Sequence, residues 1–194
     1  MVKVCSYKRS GTHWLMALMA CNFRYDEDLS LTAHSDGRRW VLTGHKKARV
    51  PWGKLFLTHD PIEKVKHDKS KIIYIHRHPL DVMRSLWEFH GKPKGLCDYV
   101  TDYMINEWKN HVEGYINDGI YSISYADLQM KPVKTLQEIC THFGFVLEDG
   151  KYHPVKKRVG WAEKSKISER EGYTLKCIAR FREILGEDYM GYKI

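Results

Sequence analysis

Val2-Lys3-Val4-Cys5-Ser6-Tyr7-Lys8-Arg9-Ser10-Gly11-Thr12-His13-Trp14 is the stretch on which the reading of this chain turns. An apolar run over residues 2–7 gives way to a turn-like Lys8-Arg9-Ser10-Gly11, and residues 12–21 are rich in Leu, Met and Ala. That order predicts strand, tight loop and helix. In a parallel sheet, a loop of this kind lies at the carboxyl end of its strand, where ligands collect. Gly11 lets the backbone approach an anion closely, and the unpaired N–H groups of the first helical turn point at it. Ser10 and Thr12 add hydroxyl donors, and Arg9 adds a fixed positive charge.

Outward from this loop, strands and helices alternate. Residues 54–58 and 71–76 are rich in Leu, Phe, Ile and Tyr and predict two more strands; residues 119–124 predict a fourth. Residues 23–51 read as a variable connection carrying short elements. Pro79 opens a helix at its first turn, where a missing N–H costs nothing, with Val82, Leu86 and Phe89 expected on the inner face. Val100, Met104, Trp108, Val112 and Tyr115 repeat at helical spacing. Pro132 starts a helix that buries Leu136, Ile139, Cys140 and Phe143 and stops at Gly144. Ser168 and Glu171 form a capping box for a last helix burying Leu175, Ile178, Phe181 and Leu185. The expected fold class is α/β: one domain over residues 1–194, with a central parallel sheet of about four to five strands flanked by helices.

Composition sets bounds without choosing a function. The 194 residues suffice for one well-filled core. A formal charge of +8 attracts polyanions but does not distinguish a nucleic acid from an anionic glycan or a phosphate-rich nucleotide. No apolar run is long enough for a membrane helix, and no secretory leader is evident. The five cysteines have no metal or redox spacing and are expected as free thiols in a reducing cytoplasm.

The spacing Gly-x4-Gly-Lys-Ser/Thr of nucleotide triphosphatases is missing. Instead, Arg9-Ser10-Gly11-Thr12 with Trp14 resembles the 5′-phosphosulfate loop of sulfotransferases, in which Lys or Arg precedes Ser-Gly-Thr. A second segment, Lys71-Ile72-Ile73-Tyr74-Ile75-His76-Arg77-His78-Pro79-Leu80-Asp81-Val82, is similar to the family's strand followed by Arg-x-Pro-x-Asp-Val. Ser85 stands eight residues after Arg77, as the family's serine does. Thr58-His59 resembles the strand end that carries the catalytic base of cytosolic members, although Asp60 replaces the usual apolar residue. Tyr125-Ala126-Asp127-Leu128 resembles the Tyr-Glu-Asp segment that reaches the adenine. Lys156-Lys157-Arg158-Val159-Gly160-Trp161 is an imperfect match to the family's closing Arg-Lys-Gly and Gly-Asp-Trp.

The resemblance implies a P-loop-kinase-like sulfotransferase fold and a donor, 3′-phosphoadenosine 5′-phosphosulfate (PAPS). It implies His59 as base and Arg9 as the cation on the leaving phosphate. Lys8, Ser10, Gly11, Thr12, His13, Trp14, Arg77, Ser85, Tyr125, Lys156, Lys157 and Arg158 are then expected around the nucleotide. Lys8 rivals Arg9 if the loop register shifts by one residue. Asp81 is expected to stabilise its helix N-terminus, and Arg84 to face solvent. Turnover is expected to need no metal, and the acceptor, a hydroxyl or amine on a small molecule, sugar or peptide, is left open. Two other classes compete: a P-loop-like kinase, and a non-catalytic anion- or nucleic-acid-binding module. The spread of basic residues through the chain makes nucleic acid an unexpected partner.

Overall fold

The computed structural model describes residues 2–24, 55–65, 68–147, 151–152 and 172–194. The first half contains β1 (Val2–Cys5), α1 (Thr12–Asn22), β2 (Phe23–Arg24), β3 (Leu55–Thr58), β4 (Ile72–His76) and α2 (Pro79–Phe89). Then come α3 (Leu96–Tyr99), α4 (Asp102–Asn117), β5 (Tyr121–Ser124), α5 (Tyr125–Met130) and α6 (Pro132–Phe143). The chain closes with β6 (Val146–Leu147), α7 (Leu175–Leu185), β7 (Asp188–Tyr189) and β8 (Tyr192–Lys193).

Among the described residues the main sheet has four strands in the order β3-β1-β4-β5, every pair parallel. This is the expected α/β architecture. Alternation along the strands divides the core in two. Val2 and Val4 of β1 and Ile73 and Ile75 of β4 pack with Leu15, Leu18 and Met19 of α1 and with Leu136 and Ile139 of α6. Cys5, Ile72 and Tyr74 face the other way, onto α2, α4 and α7. Each fully buried Leu or Ile in these layers contributes about 1.5–3 kcal/mol through lost water contact.

Helix ends follow local chemistry. His78 accepts from the Leu80 N–H ahead of Pro79, and Gly144 closes α6 in the left-handed conformation, φ 69°. Several expectations change. The helix marked by Met104, Trp108, Val112 and Tyr115 is α4, but Val100 falls outside it as the C-cap of α3, because Thr101 is extended and caps α4 by accepting from Met104 N. Ser168 and Glu171 lie outside the described residues; Thr174 caps α7 by accepting from Cys177 N. Leu175, expected inside, is 86% exposed because it is the first residue after that cap, ahead of the buried stripe. Phe89, at the last position of α2, is 66% exposed for the same end-of-helix reason. Arg84 is buried instead of solvated, its guanidinium 5.6 Å from the ring centre of Tyr173. Cys5, Cys97, Cys140 and Cys177 are free thiols, and no helix among the described residues is long and apolar enough to cross a membrane.

Candidate active site

Each main-sheet strand delivers its next residues to one edge. Cys5 lies opposite Thr58 and Tyr74, and His76 lies opposite Ser124. The loop after β1, His59 after β3, Arg77 after β4 and Tyr125 after β5 therefore share the carboxyl end of the sheet.

The first loop is shaped by backbone. Arg9 adopts φ 68°, a left-handed conformation that costs a residue with a Cβ roughly 1–2 kcal/mol. Gly11, at φ 98°, lies against Tyr125 so closely that a Cβ would meet the ring at 2.3 Å. Ser10 is fully buried, and its Oγ has no hydrogen-bond partner among the described residues. Trp14 meets Tyr125 edge to face at 5.6 Å. Thr12 is buried, and His13 is half-buried beside it in the first turn of α1.

The loops after β1 and β4 touch. Arg9 Nε donates to Ser85 Oγ at 3.1 Å, and its guanidinium lies 4.9 Å from the centre of the Phe89 ring. Arg77 binds Asp81 through Nε and Nη2 at 3.2 and 3.1 Å, and Nη1 donates to the Arg9 carbonyl at 3.5 Å. The same guanidinium stacks over Tyr125, 4.6 Å from the ring centre. Burial, then the charge of Arg77, pulls the pKa of Arg9 below its ordinary value. Arg77 thus touches the Arg9 backbone while its charge is paired with Asp81, and the two loops come together at the strand ends.

His59 occupies the other side. Its Nδ1 lies 2.8 Å from the Ser6 carbonyl and 3.2 Å from Ser6 Oγ, which is itself bonded to Thr12 Oγ1. A carbonyl only accepts, so Nδ1 carries the hydrogen and Nε2 holds the basic lone pair. The backbone here is braced by α4. His111 Nε2 donates to the His59 carbonyl at 3.1 Å, and Tyr115 donates to the Asp60 carbonyl at 2.8 Å. Tyr74 in turn donates to His111 Nδ1 at 3.0 Å, and burial holds the His111 pKa below the usual value. Beside His59 opens a cleft of about 610 Å³ that includes Lys8 and a face of α4.

A family model described as "Sulfotransferase domain" matches residues 2–171, most of the chain and all four strand ends. The chain belongs to the sulfotransferase family. It is 24% identical over 209 residues to human (Homo sapiens) sulfotransferase 2A1, covering 90% of this chain and 69% of that protein. With sulfotransferase 2A2 of Rattus norvegicus it shares 25% identity over 179 residues, 79% of this chain and 62% of the relative. The chain thus spans roughly two thirds of these relatives' length. Among solved structures, mouse sulfotransferase SULT7A1 complexed with PAP superposes with a TM-score of 0.66. It is 21% identical, and the match covers 96% of this chain and 82% of that one, a likeness of fold.

Within this sulfotransferase domain, Ser10, Gly11, Thr12, His13, Trp14, Arg77, Ser85 and Tyr125 gather with Arg9 around one edge. Lys8, the rival cation, shares the cleft with His59. Lys156, Lys157 and Arg158 lie outside the described residues. Ser6, His111 and Tyr115 escape a motif-based reading. Their one local signal is that His111 and Tyr115 continue the buried stripe of Trp108 and Val112 on α4, where polar atoms need partners.

Proposed function

We propose that this chain transfers a sulfuryl group from PAPS to a hydroxyl or amine acceptor, with residues 1–194 acting as one domain. The observation that carries the reading is the meeting of Arg9, Arg77, Ser85 and Tyr125 at the ends of neighbouring strands. The residues fit a doubly phosphorylated adenosine. The buried Ser10 hydroxyl, unpartnered among the described residues, suits a close-packed phosphate, while Tyr125, packed against Gly11, and Trp14 suit the adenine. Arg77 and Ser85 would hold the 3′-phosphate, with at least one of Lys156, Lys157 and Arg158 closing over it.

PAPS supplies the sulfuryl group and, in its 5′-phosphate, the leaving group. His59 Nε2 takes the proton from the acceptor as the acceptor atom bonds to sulfur. Arg9, helped by the loop N–H groups and by Ser10, Thr12 and His13, stabilises the electron pair left on the departing phosphate oxygen, an electrostatic preorganisation of the oxyanion-hole kind. In this structure Arg9 bonds Ser85, so the role asks its flexible side chain to turn toward the phosphate. These fixed cations do the work a metal ion could do, and a chelator is expected to leave turnover unchanged. Action in the cytoplasm belongs to the same proposal, supported by the free thiols.

The test is calorimetric and kinetic. Arg77→Ala should weaken binding of the 3′,5′-bisphosphate nucleotide far more than binding of the 5′-monophosphate; equal losses would remove Arg77 from the 3′ site. Arg9→Ala should lower turnover of radiolabelled PAPS by roughly 10²–10³, the scale of one lost transition-state donor. If Arg9→Ala and His59→Ala both keep the parent rate, the assignment of roles fails.

A further inference from the structure

The cleft beside His59 has a chemistry of its own. Tyr103, Asn106, Glu107 and Asn110 are spaced i, i+3, i+4 and i+7 along α4 and present one face to it. Asp60 and Glu63 approach from the loop after β3. Two of the carboxylates are fixed in place: Glu107 Oε2 accepts from the Tyr7 hydroxyl at 2.9 Å, and Asp60 Oδ2 from Thr58 Oγ1 at 2.5 Å. An ionised carboxylate has about four acceptor sites, so both keep capacity for a ligand. Tyr103, 75% exposed, offers an aromatic face that an apolar ring or the C–H face of a sugar could cover. Among the described residues, three carboxylates and two amides line the cleft with one ammonium, that of Lys8, and the imidazoles of His59 and His111.

A rigid apolar alcohol lodged here would strip water from those carboxylates and amides and return no hydrogen bonds. A ligand rich in hydroxyls bonds Asn110 and the remaining capacity of Asn106, whose Nδ2 already donates to the Asp102 carbonyl at 2.9 Å, and a protonated amine satisfies the carboxylates through charge-assisted bonds. We propose that the acceptor is a cationic, polyhydroxylated molecule of the amino-sugar kind, seated between the β3 exit loop and α4 with one hydroxyl toward His59. This assignment rests on the sulfuryl-transfer reading above. Glu63 and Glu107 act as specificity residues that select the amine, and Lys8 discriminates against acceptors crowded with further cations.

Transfer from radiolabelled PAPS by the full chain tests it with glucosamine, N-acetylglucosamine, glucuronic acid, a sterol alcohol and a simple phenol. Glucosamine should show the highest kcat/KM, at least about tenfold above its N-acetyl counterpart, the scale of one lost charge-assisted pair. Glu63→Gln and Glu107→Gln together should erase that preference while calorimetry finds nucleotide affinity unchanged. Glu63→Gln alone, an exposed position, gives a partial loss that does not depend on any change in folding. Preference for the sterol or phenol, an amine preference that survives the double substitution, or no transfer to either amino-sugar probe overturns the assignment. If the preferred apolar acceptor loses its product in His59→Ala, the acceptor class falls and the sulfuryl-transfer reading stands. If the bisphosphate nucleotide fails to bind and no acceptor is sulfated, both fall.

Discussion

A methyl group at Gly11 would sit 2.3 and 2.6 Å from carbons of the Tyr125 ring, on a backbone already at φ 98°. Gly11→Ala is therefore expected to destabilise the fold by roughly 1–3 kcal/mol, part steric and part conformational. Urea unfolding of Gly11→Ala alone and together with Tyr125→Ala separates the two, because removing the ring relieves only the steric share. An unchanged midpoint in the single variant would show that the loop rests elsewhere. At this scale the motif residues Arg77, Ser85 and Tyr125 were readable from type and spacing. The direction of Arg9 was not, since its left-handed backbone and its bond to Ser85 depend on α2 lying beside the loop.

Among the elements, α4 braces the backbone that carries His59, the proposed base. His111 and Tyr115 hold the carbonyls of His59 and Asp60, and both belong to the buried face that carries Trp108 and Val112. His111→Phe keeps the packing but removes the donor, and kcat is expected to fall about tenfold, one hydrogen bond's worth of positioning. Nucleotide affinity should hold, and His111→Gln, which restores an N–H, should recover part of kcat. A change in nucleotide affinity equal to the change in kcat would point to general loosening of the fold instead. The longer helices α1, α2, α4, α6 and α7 were legible in the sequence, whereas the short α3 and α5 were not, and boundaries moved wherever a cap decided them. Thr101 left Val100 outside α4, and Thr174 set the start of α7. Thr174→Ala should cost about 1 kcal/mol of stability in the same unfolding assay.

Across the whole molecule, burial shapes the response to acid. His76 ends β4, is 9% exposed and meets the Tyr192 hydroxyl at 2.6 Å, tying the β7–β8 hairpin to the sheet. Burial lowers its pKa from 6.5 to about 4. The unfolded chain therefore takes up this proton first, and stability drops as pH falls from about 6.5 toward 4, by roughly 3 kcal/mol at full extent. Above pH 6.5 both states are neutral and this contribution is flat. Urea midpoints at pH 7 and pH 5 should differ in the parent protein and converge in His76→Asn. An equal pH step in both would place the acid sensitivity elsewhere, His111 being another buried imidazole whose pKa burial lowers.

The order of residues along the chain was enough for the α/β class, a parallel sheet of about four to five strands and the two segments proposed to bind the nucleotide. Those depend on periodicity of two or 3.6, on Gly and Pro, and on charged side chains directly after apolar runs, all of which are local. It could not say that Arg9 and Arg77 would come into contact, that Ser6 and His111 would orient His59, or that Glu107 would share a cleft with it. Those pairings join residues 48 to 68 positions apart, on elements that meet only when two faces of one sheet are covered. Packing of the two layers brings them together, and no short stretch of chain encodes that distance.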